Sequence, residues 1–238
     1  MASHIPQLTY AIGDIHGYDD LFERLLDRIR ADAELINERP RLILLGDYID
    51  RGPSSRQVLE RIRRMQETSW CDLTVLMGNH EDALLRFLND PEFGHTWRIW
   101  GGAATLKSYG VDMPFLASEP VLWEDVRKDF VSAVDPVHVE MLRELPAAFQ
   151  SGDYLFVHAG VDPEVPLSEQ GPETFMFIRG PFQRAEKACD YVVVHGHTPE
   201  DEPANLDWRI CVDTGVYFNH VLTAVRLHGD GRSFLQVS

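Results

Sequence analysis

Cysteine is scarce, with Cys71, Cys189 and Cys211 the only three among 238 residues. An odd, sparse set with no pair at metal-knuckle spacing excludes a disulfide framework and a cysteine-built zinc site. Reduced thiols are expected, with Cys189 and Cys211 packed in or beside apolar runs. Long hydrophobic runs are missing as well. No stretch of roughly 18 apolar residues exists, which excludes a hydropathic membrane-spanning helix. The opening MASHIPQLTYAIG has no basic region followed by a long apolar one, so no signal peptide is expected. A cytoplasmic location follows as the expectation. Positive charge is also short. Lys and Arg number 22 against 38 Asp and Glu, for a formal net charge of −16. That opposes binding to nucleic acid or to an anionic membrane. Bound cations would offset part of it.

What is present is enough for a sizeable core, since 44% of the residues are hydrophobic. Short apolar runs at Leu8–Ile12, Leu42–Leu45, Leu73–Met77, Tyr154–Val157, Tyr191–Val194, Ile210–Val212 and Val221–Leu227 read as buried strands. Between the early runs the period changes to that of helices. Leu21, Phe22, Leu25, Leu26 and Ile29 form one apolar stripe, with Asp20 and Glu23 at capping-box spacing. Val58, Leu59, Ile62 and Met65 form a second, preceded by the candidate caps Ser54 and Ser55. Asp135-Pro136 opens a third helix ending near Glu144. Gly229-Asp230-Gly231 is a turn before a final strand. Strand–helix alternation in the first half favours parallel βαβ units, and the last part is strand-rich. The expectation is one α/β domain over residues 1–238, α+β in parts, with two mixed β-sheets packed as a sandwich flanked by helices.

Several apolar runs end at Gly or His and are followed at once by metal-ligand residue types. They give Gly13-Asp14-Ile15-His16-Gly17, Gly46-Asp47-Tyr48-Ile49-Asp50-Arg51-Gly52 and Gly78-Asn79-His80-Glu81. Later runs give Val157-His158-Ala159-Gly160 and His195-Gly196-His197-Thr198-Pro199. One such motif would be ordinary turn chemistry. Five in succession, at the strand ends where α/β sheets bind ligands, make coincidence a poor account. Carboxylate, imidazole and amide oxygen together suit Mn²⁺, Fe or Zn²⁺. Asp14 and His16 can meet one ion, and a carboxylate such as Asp47 can bridge two. Paired ions about 3.5–4 Å apart can hold a bridging hydroxide and clamp a phosphoryl group.

The set GDIHG, GDYIDRG, GNHE, FVHAG and HGHTP, in this order over residues 11–199, resembles the calcineurin-like metallophosphoesterases. GDYIDRG and GNHE resemble the phosphoprotein phosphatase branch within them. The stretch from Trp100-Gly101-Gly102 to Tyr109-Gly110 is similar to bacterial and phage Ser/Thr protein phosphatases. The resemblance implies two divalent ions, Mn²⁺ before Fe or Zn²⁺. Asp14, His16 and Asp47 would hold the first, and Asp47, Asn79, His158 and His197 the second. His80 would be the general acid, oriented by Asp50. Arg51 would grip the phosphate, with Arg179 as a second candidate. The pattern departs from the wider family at Gly196-His197-Thr198, where a further histidine is often found. His195, before the glycine, reads as a packed or supporting residue. His4, His95, His138, His220 and His228 read as surface or packing residues, and Arg56, Arg61, Arg63 and Arg64 as a solvated helix face. Trp97 and Trp100 could shape a groove or a lid core, and Tyr217 a pocket wall.

The activity expected from this resemblance is a Ser/Thr protein phosphatase acting by single-step, in-line attack of the bridging hydroxide. The alternative is a dinucleoside polyphosphate hydrolase of the diadenosine tetraphosphate type. A weaker alternative is a non-catalytic scaffold on the same fold. The partner is a phosphorylated protein or a small phosphoester, with no nucleic acid and no membrane. The oligomeric state is left open.

Overall fold

The computed structural model describes residues 3–67, 70–113 and 122–238. Ten strands among them form two five-stranded sheets. The first half gives β1 (Ile5–Ile12), β2 (Arg41–Leu44) and β3 (Asp72–Val75). The second half gives β4 (Ala148–Ser151), β5 (Tyr154–Val157), β6 (Val192–His195), β7 (Ala204–Asn205), β8 (Arg209–Cys211), β9 (Leu222–Gly229) and β10 (Gly231–Val237). One sheet has the order β10-β9-β1-β2-β3, and the other β4-β5-β6-β8-β7. β1, β2 and β3 run parallel, as do β5, β6 and β8, while β4, β7, β9 and β10 pair antiparallel. Both sheets are mixed, as expected.

The period of two along each strand sorts side chains between two cores. Ala11, Ile43 and Val225 from the first sheet meet Tyr154, Phe156, Val194 and Ile210 from the second. Tyr10, Ile12, Leu42 and Leu44 point the other way, onto helices. There α1 (Asp19–Ile36) contributes Phe22, Leu25 and Ile29, and α2 (Ser55–Gln66) contributes Val58, Leu59 and Ile62. These are the two stripes read from the sequence. Further on come α3 (Asn79–Asn89), α4 (Gly94–Trp100), α5 (Gly102–Ser108), α6 (Trp123–Ala133), α7 (Pro136–Arg143) and α8 (Pro172–Phe177).

Local expectations differ at the caps. α1 starts one residue before Asp20, with Tyr18 at the N-cap and no side-chain cap, so the capping box of Asp20 and Glu23 does not form. The tight turn at His16-Gly17, both with positive φ, sets where this helix begins. Ser54 occupies the N-cap of α2 without a side-chain bond, and Ser55 Oγ accepts from the Asp50 N–H instead. Asp135 does cap α7, accepting from the Val137 N–H. β4 has no apolar run to announce it. It forms because a hairpin at Gly152-Asp153 lays it antiparallel on β5. Cys71 and Cys211 are buried, whereas Cys189 is only half-buried, and none of the three is paired. His138, grouped with surface or packing residues, is buried and bonded to the Tyr109 hydroxyl at 2.7 Å. Among the described residues no helix is long and apolar enough to cross a membrane.

Candidate metal centre

Each parallel strand delivers its motif to the same end of the sandwich. Asp14 and His16 follow β1, and Asp47, Asp50 and Arg51 follow β2. Asn79 and His80 open α3 just beyond β3. His158 follows β5, and His197 follows β6. Apart from Arg51, these side chains are at most 6% exposed. Burying so many polar groups is unfavourable unless each finds a partner.

Asp47 lies at the centre. Its Oδ2 is 3.3 Å from His158 Nε2, 3.7 Å from His80 Nε2 and 3.8 Å from His16 Nε2. His16 Nδ1 donates to the Ile49 carbonyl at 2.9 Å, and His158 Nδ1 donates to the Leu45 carbonyl at 3.0 Å. Those bonds turn both Nε2 atoms inward. His158 Nε2 lies 3.0 Å from Asn79 Oδ1 and 3.0 Å from His197 Nδ1. Asp14 Oδ2 sits 4.0 Å from His16 Nε2, and the Asp14 carboxylate also accepts from the His197 N–H. Two groups of donor atoms thus share Asp47. One is His16, Asp47 and His80, and the other is Asp47, His158 and His197, each within 4.8 Å.

The electrostatics call for a cation. Burial and then Asp213 push the Asp14 carboxyl well above the usual range. Burial also pushes Asp213 up to about 6. Burial alone would raise Asp47 too, but His158 and His80 outweigh it and hold it ionised. Burial opposes a charge on His158, yet Asp47 raises it to about 9. Burial depresses His16 to about 3 and His197 to about 2, leaving neutral imidazoles. His197 Nε2 is buried without a hydrogen-bond partner. Buried carboxylates facing inward imidazole nitrogens and an amide oxygen fit oxygen- and nitrogen-ligated divalent ions.

His80 is turned differently. Its Nδ1 is 2.6 Å from Asp50 Oδ2. Burial works against its charge, but Asp47 and Asp50 together raise its pKa. Its Nε2 faces the centre, 3.7 Å from Asp47 Oδ2, so Asp50 fixes one ring nitrogen while the other is turned to the shared carboxylate.

Two supporting residues, Thr105 and Glu81, were not singled out in the sequence, and neither was the partner of the Trp97 indole. Trp97 Nε1 donates to Asp50 Oδ2 at 2.8 Å, and Thr105 Oγ1 donates to Asp50 Oδ1 at 2.5 Å. Trp97 is therefore core, not groove. Glu81 is fully buried, and its carboxylate accepts from the N–H groups of Asp47, Tyr48, Ile49 and Gly78. The only signal for it is its place in GNHE. His195 ends β6 and leaves the centre, packing on Phe182 and lying 3.4 Å from Arg209 Nη1. It does not share a strand face with His197, because the chain leaves the strand at Gly196 and His197 adopts φ 67°. Arg51 lies over Tyr217, 4.0 Å from the ring centre, which makes Tyr217 a wall of the site. Arg179 Nη1 donates to the His197 carbonyl at 3.1 Å and to Thr198 Oγ1 at 3.2 Å.

The family model for calcineurin-like phosphoesterases matches residues 9–223. The chain belongs to that family. A symmetrical bis(5'-nucleosyl)-tetraphosphatase of Dechloromonas aromatica is 33% identical over 183 residues, covering 71% of this chain and 54% of that one. The chain therefore spans about half the length of that relative. An asymmetrical bis(5'-nucleosyl)-tetraphosphatase of Anoxybacillus flavithermus is 26% identical over 235 residues, covering 90% and 88%. A solved structure provisionally named a diadenosine tetraphosphatase matches with TM-score 0.61 at 16% identity, covering 100% and 99%, which speaks to fold alone. The family makes the chain a metallophosphoesterase hydrolase. The expected Ser/Thr protein phosphatase is overturned by the names of these relatives, and a phosphoprotein partner goes with it. The physical reason is that the metal motifs serve phosphoryl chemistry in general and carry no information on the leaving group.

The crowding at Asp47 yields a test. A Cβ at Gly78 would lie 2.3 Å from both the Asp47 nitrogen and its Oδ1, neither of which is a flexible tip. Gly78→Ala should lose about 1–3 kcal/mol of stability in urea titration through overpacking. Wild-type stability for this variant would contradict the described geometry.

Proposed function

We propose that the chain hydrolyses the phosphoanhydride chain of dinucleoside polyphosphates, with Mn²⁺ as the preferred ion. The observation that carries this reading is that relatives of both cleavage types bear the same substrate in their names, one aligned over 90% of this chain. In the proposed assignment Asp14, His16 and Asp47 hold one ion, and Asp47, Asn79, His158 and His197 hold the other. Bound there, two divalent ions would lower the pKa of water and neutralise phosphate oxygens.

The protein's own groups do the rest. Arg51 presents its planar fork to a phosphate, and such forks match phosphate oxygens in pairs. The Tyr217 ring and the bond from the Arg51 N–H to the Gly101 carbonyl at 3.2 Å fix the place of Arg51. Arg179 offers further charge beside His197. With a net charge of −16, the protein depends on these local cations to accept a polyanion. His80, oriented by Asp50, carries its proton toward the departing oxygen. Trp97 and Thr105 hold Asp50 still.

The deciding experiment compares diadenosine tetraphosphate with a phosphoserine peptide at equal Mn²⁺ and pH. The dinucleotide should have the higher kcat/KM, and chromatography of the products tells symmetrical from asymmetrical cleavage. No turnover of the dinucleotide would overturn the reading.

The leaving group sets what His80 is worth. A departing nucleotide leaves as a phosphate, whose second pKa is near 6, so it needs little help from a proton. General acid catalysis contributes about 10²–10⁴-fold where protonation is required. His80→Asn should fall at or below the low end of that range on diadenosine tetraphosphate. A loss near the upper end in single-turnover rates would show that the departing phosphate must be protonated.

A further inference from the structure

Two tryptophans three residues apart in α4 have opposite fates. Trp97 is fully buried and spends its indole N–H on Asp50. Trp100 is only half-buried, and among the described residues its indole N–H has no partner. Its ring centre lies 6.1 Å from that of His80. It also lies 6.4 Å from Phe177 and 6.2 Å from Phe93. The Arg86 guanidinium braces both phenylalanines, 5.9 Å from Phe93 and 5.7 Å from Phe177. Phe177 arrives from α8, so separate segments build one aromatic wall beside the proposed proton donor.

The wall is registered to the phosphate grip. Gly101, directly after Trp100, accepts from the Arg51 N–H, so the end of α4 cannot shift without moving Arg51. An aromatic surface at a fixed reach from a phosphate site suits a group that is flat, apolar on its faces and attached to that phosphate. A nucleobase is such a group. Base–aromatic stacking tolerates any base, because each has a π-face.

We propose that Trp100, with Phe177 beside it, is the stacking platform for the nucleobase of the departing nucleotide. Trp100 stands on the His80 side, where the leaving group exits. This inference rests on the dinucleotide reading of the site. Because the platform stacks and does not read base edges, adenine and guanine dinucleotides should both be accepted.

The test is calorimetric, on the Mn²⁺-loaded protein, with ADP as the base-bearing probe and pyrophosphate as the base-free one. Trp100→Ala should weaken ADP by roughly 5- to 150-fold, the range of one lost stack. Pyrophosphate should bind the variant as it binds wild type, and Trp100→Phe should recover most of the ADP affinity. Equal weakening of both probes would overturn the proposal, since it would mean that Trp100 only supports His80 or the fold. Unchanged ADP affinity would overturn it as well. If wild type fails to hydrolyse diadenosine tetraphosphate while ADP still depends on Trp100, the dinucleotide reading falls and the stacking platform stands.

Discussion

The structure depends on one crowded carboxylate. Asp47 is buried against three imidazoles and is the member common to both donor groups. In water such a group would be solvated. Here its charge is balanced only by what the strand ends bring to it. The parallel strands explain how that is possible, because parallel pairing puts the carboxyl ends of β1, β2 and β3 side by side, and likewise β5, β6 and β8. Asp14, His16, Asp47, Asn79, His158 and His197 each stand within about four residues of the end of their strand, close enough to reach the common centre.

Holding the chain there is unfavourable for the backbone. Seven non-glycine residues have positive φ among those described, and His16, Asp47, Asp50, Arg51 and His197 are five of them. Each such conformation costs of order 1–3 kcal/mol and persists only where the surroundings over-determine it. Glu81 supplies much of that constraint. Its carboxylate collects the amides of Asp47, Tyr48 and Ile49, so the loop after β2 wraps around a single buried acid. Burial and Asp47 push Glu81 up to about 7, while the Tyr48 amide and nearby imidazoles pull it down. Trp97 and Thr105 do the same service for Asp50 from helices that follow much later in the chain.

Most of the fold, and the motifs that gather at the strand ends, were legible in the sequence because they rest on short-range patterns. The run Tyr154–Val157 is a strand with the expected bounds, and the stripes of α1 and α2 face the sheet as their periodicity requires. The ligand-type residues were visible because they sit next to strand ends. What escaped depends on distance in space. Nothing near Trp97 in sequence reveals that its indole reaches Asp50, 47 positions earlier. The cap of α1 was misplaced because the His16-Gly17 turn, not a side chain, sets its start. The substrate escaped for a different reason. The residues read best are the ligand types at the strand ends, and such a set says nothing of the leaving group. Trp100, the proposed stacking residue, stands outside those motifs and is half-buried, where no spacing rule applies.

The central claim is that Asp47 joins two cation sites into one centre. The most direct measurement is the metal content of protein dialysed against Mn²⁺, counted per chain by elemental analysis. Wild type should retain two ions, and Asp47→Asn should lose affinity at both sites, because the shared carboxylate serves each. One ion per wild-type chain, or an Asp47→Asn variant that still binds two as tightly, would contradict the account.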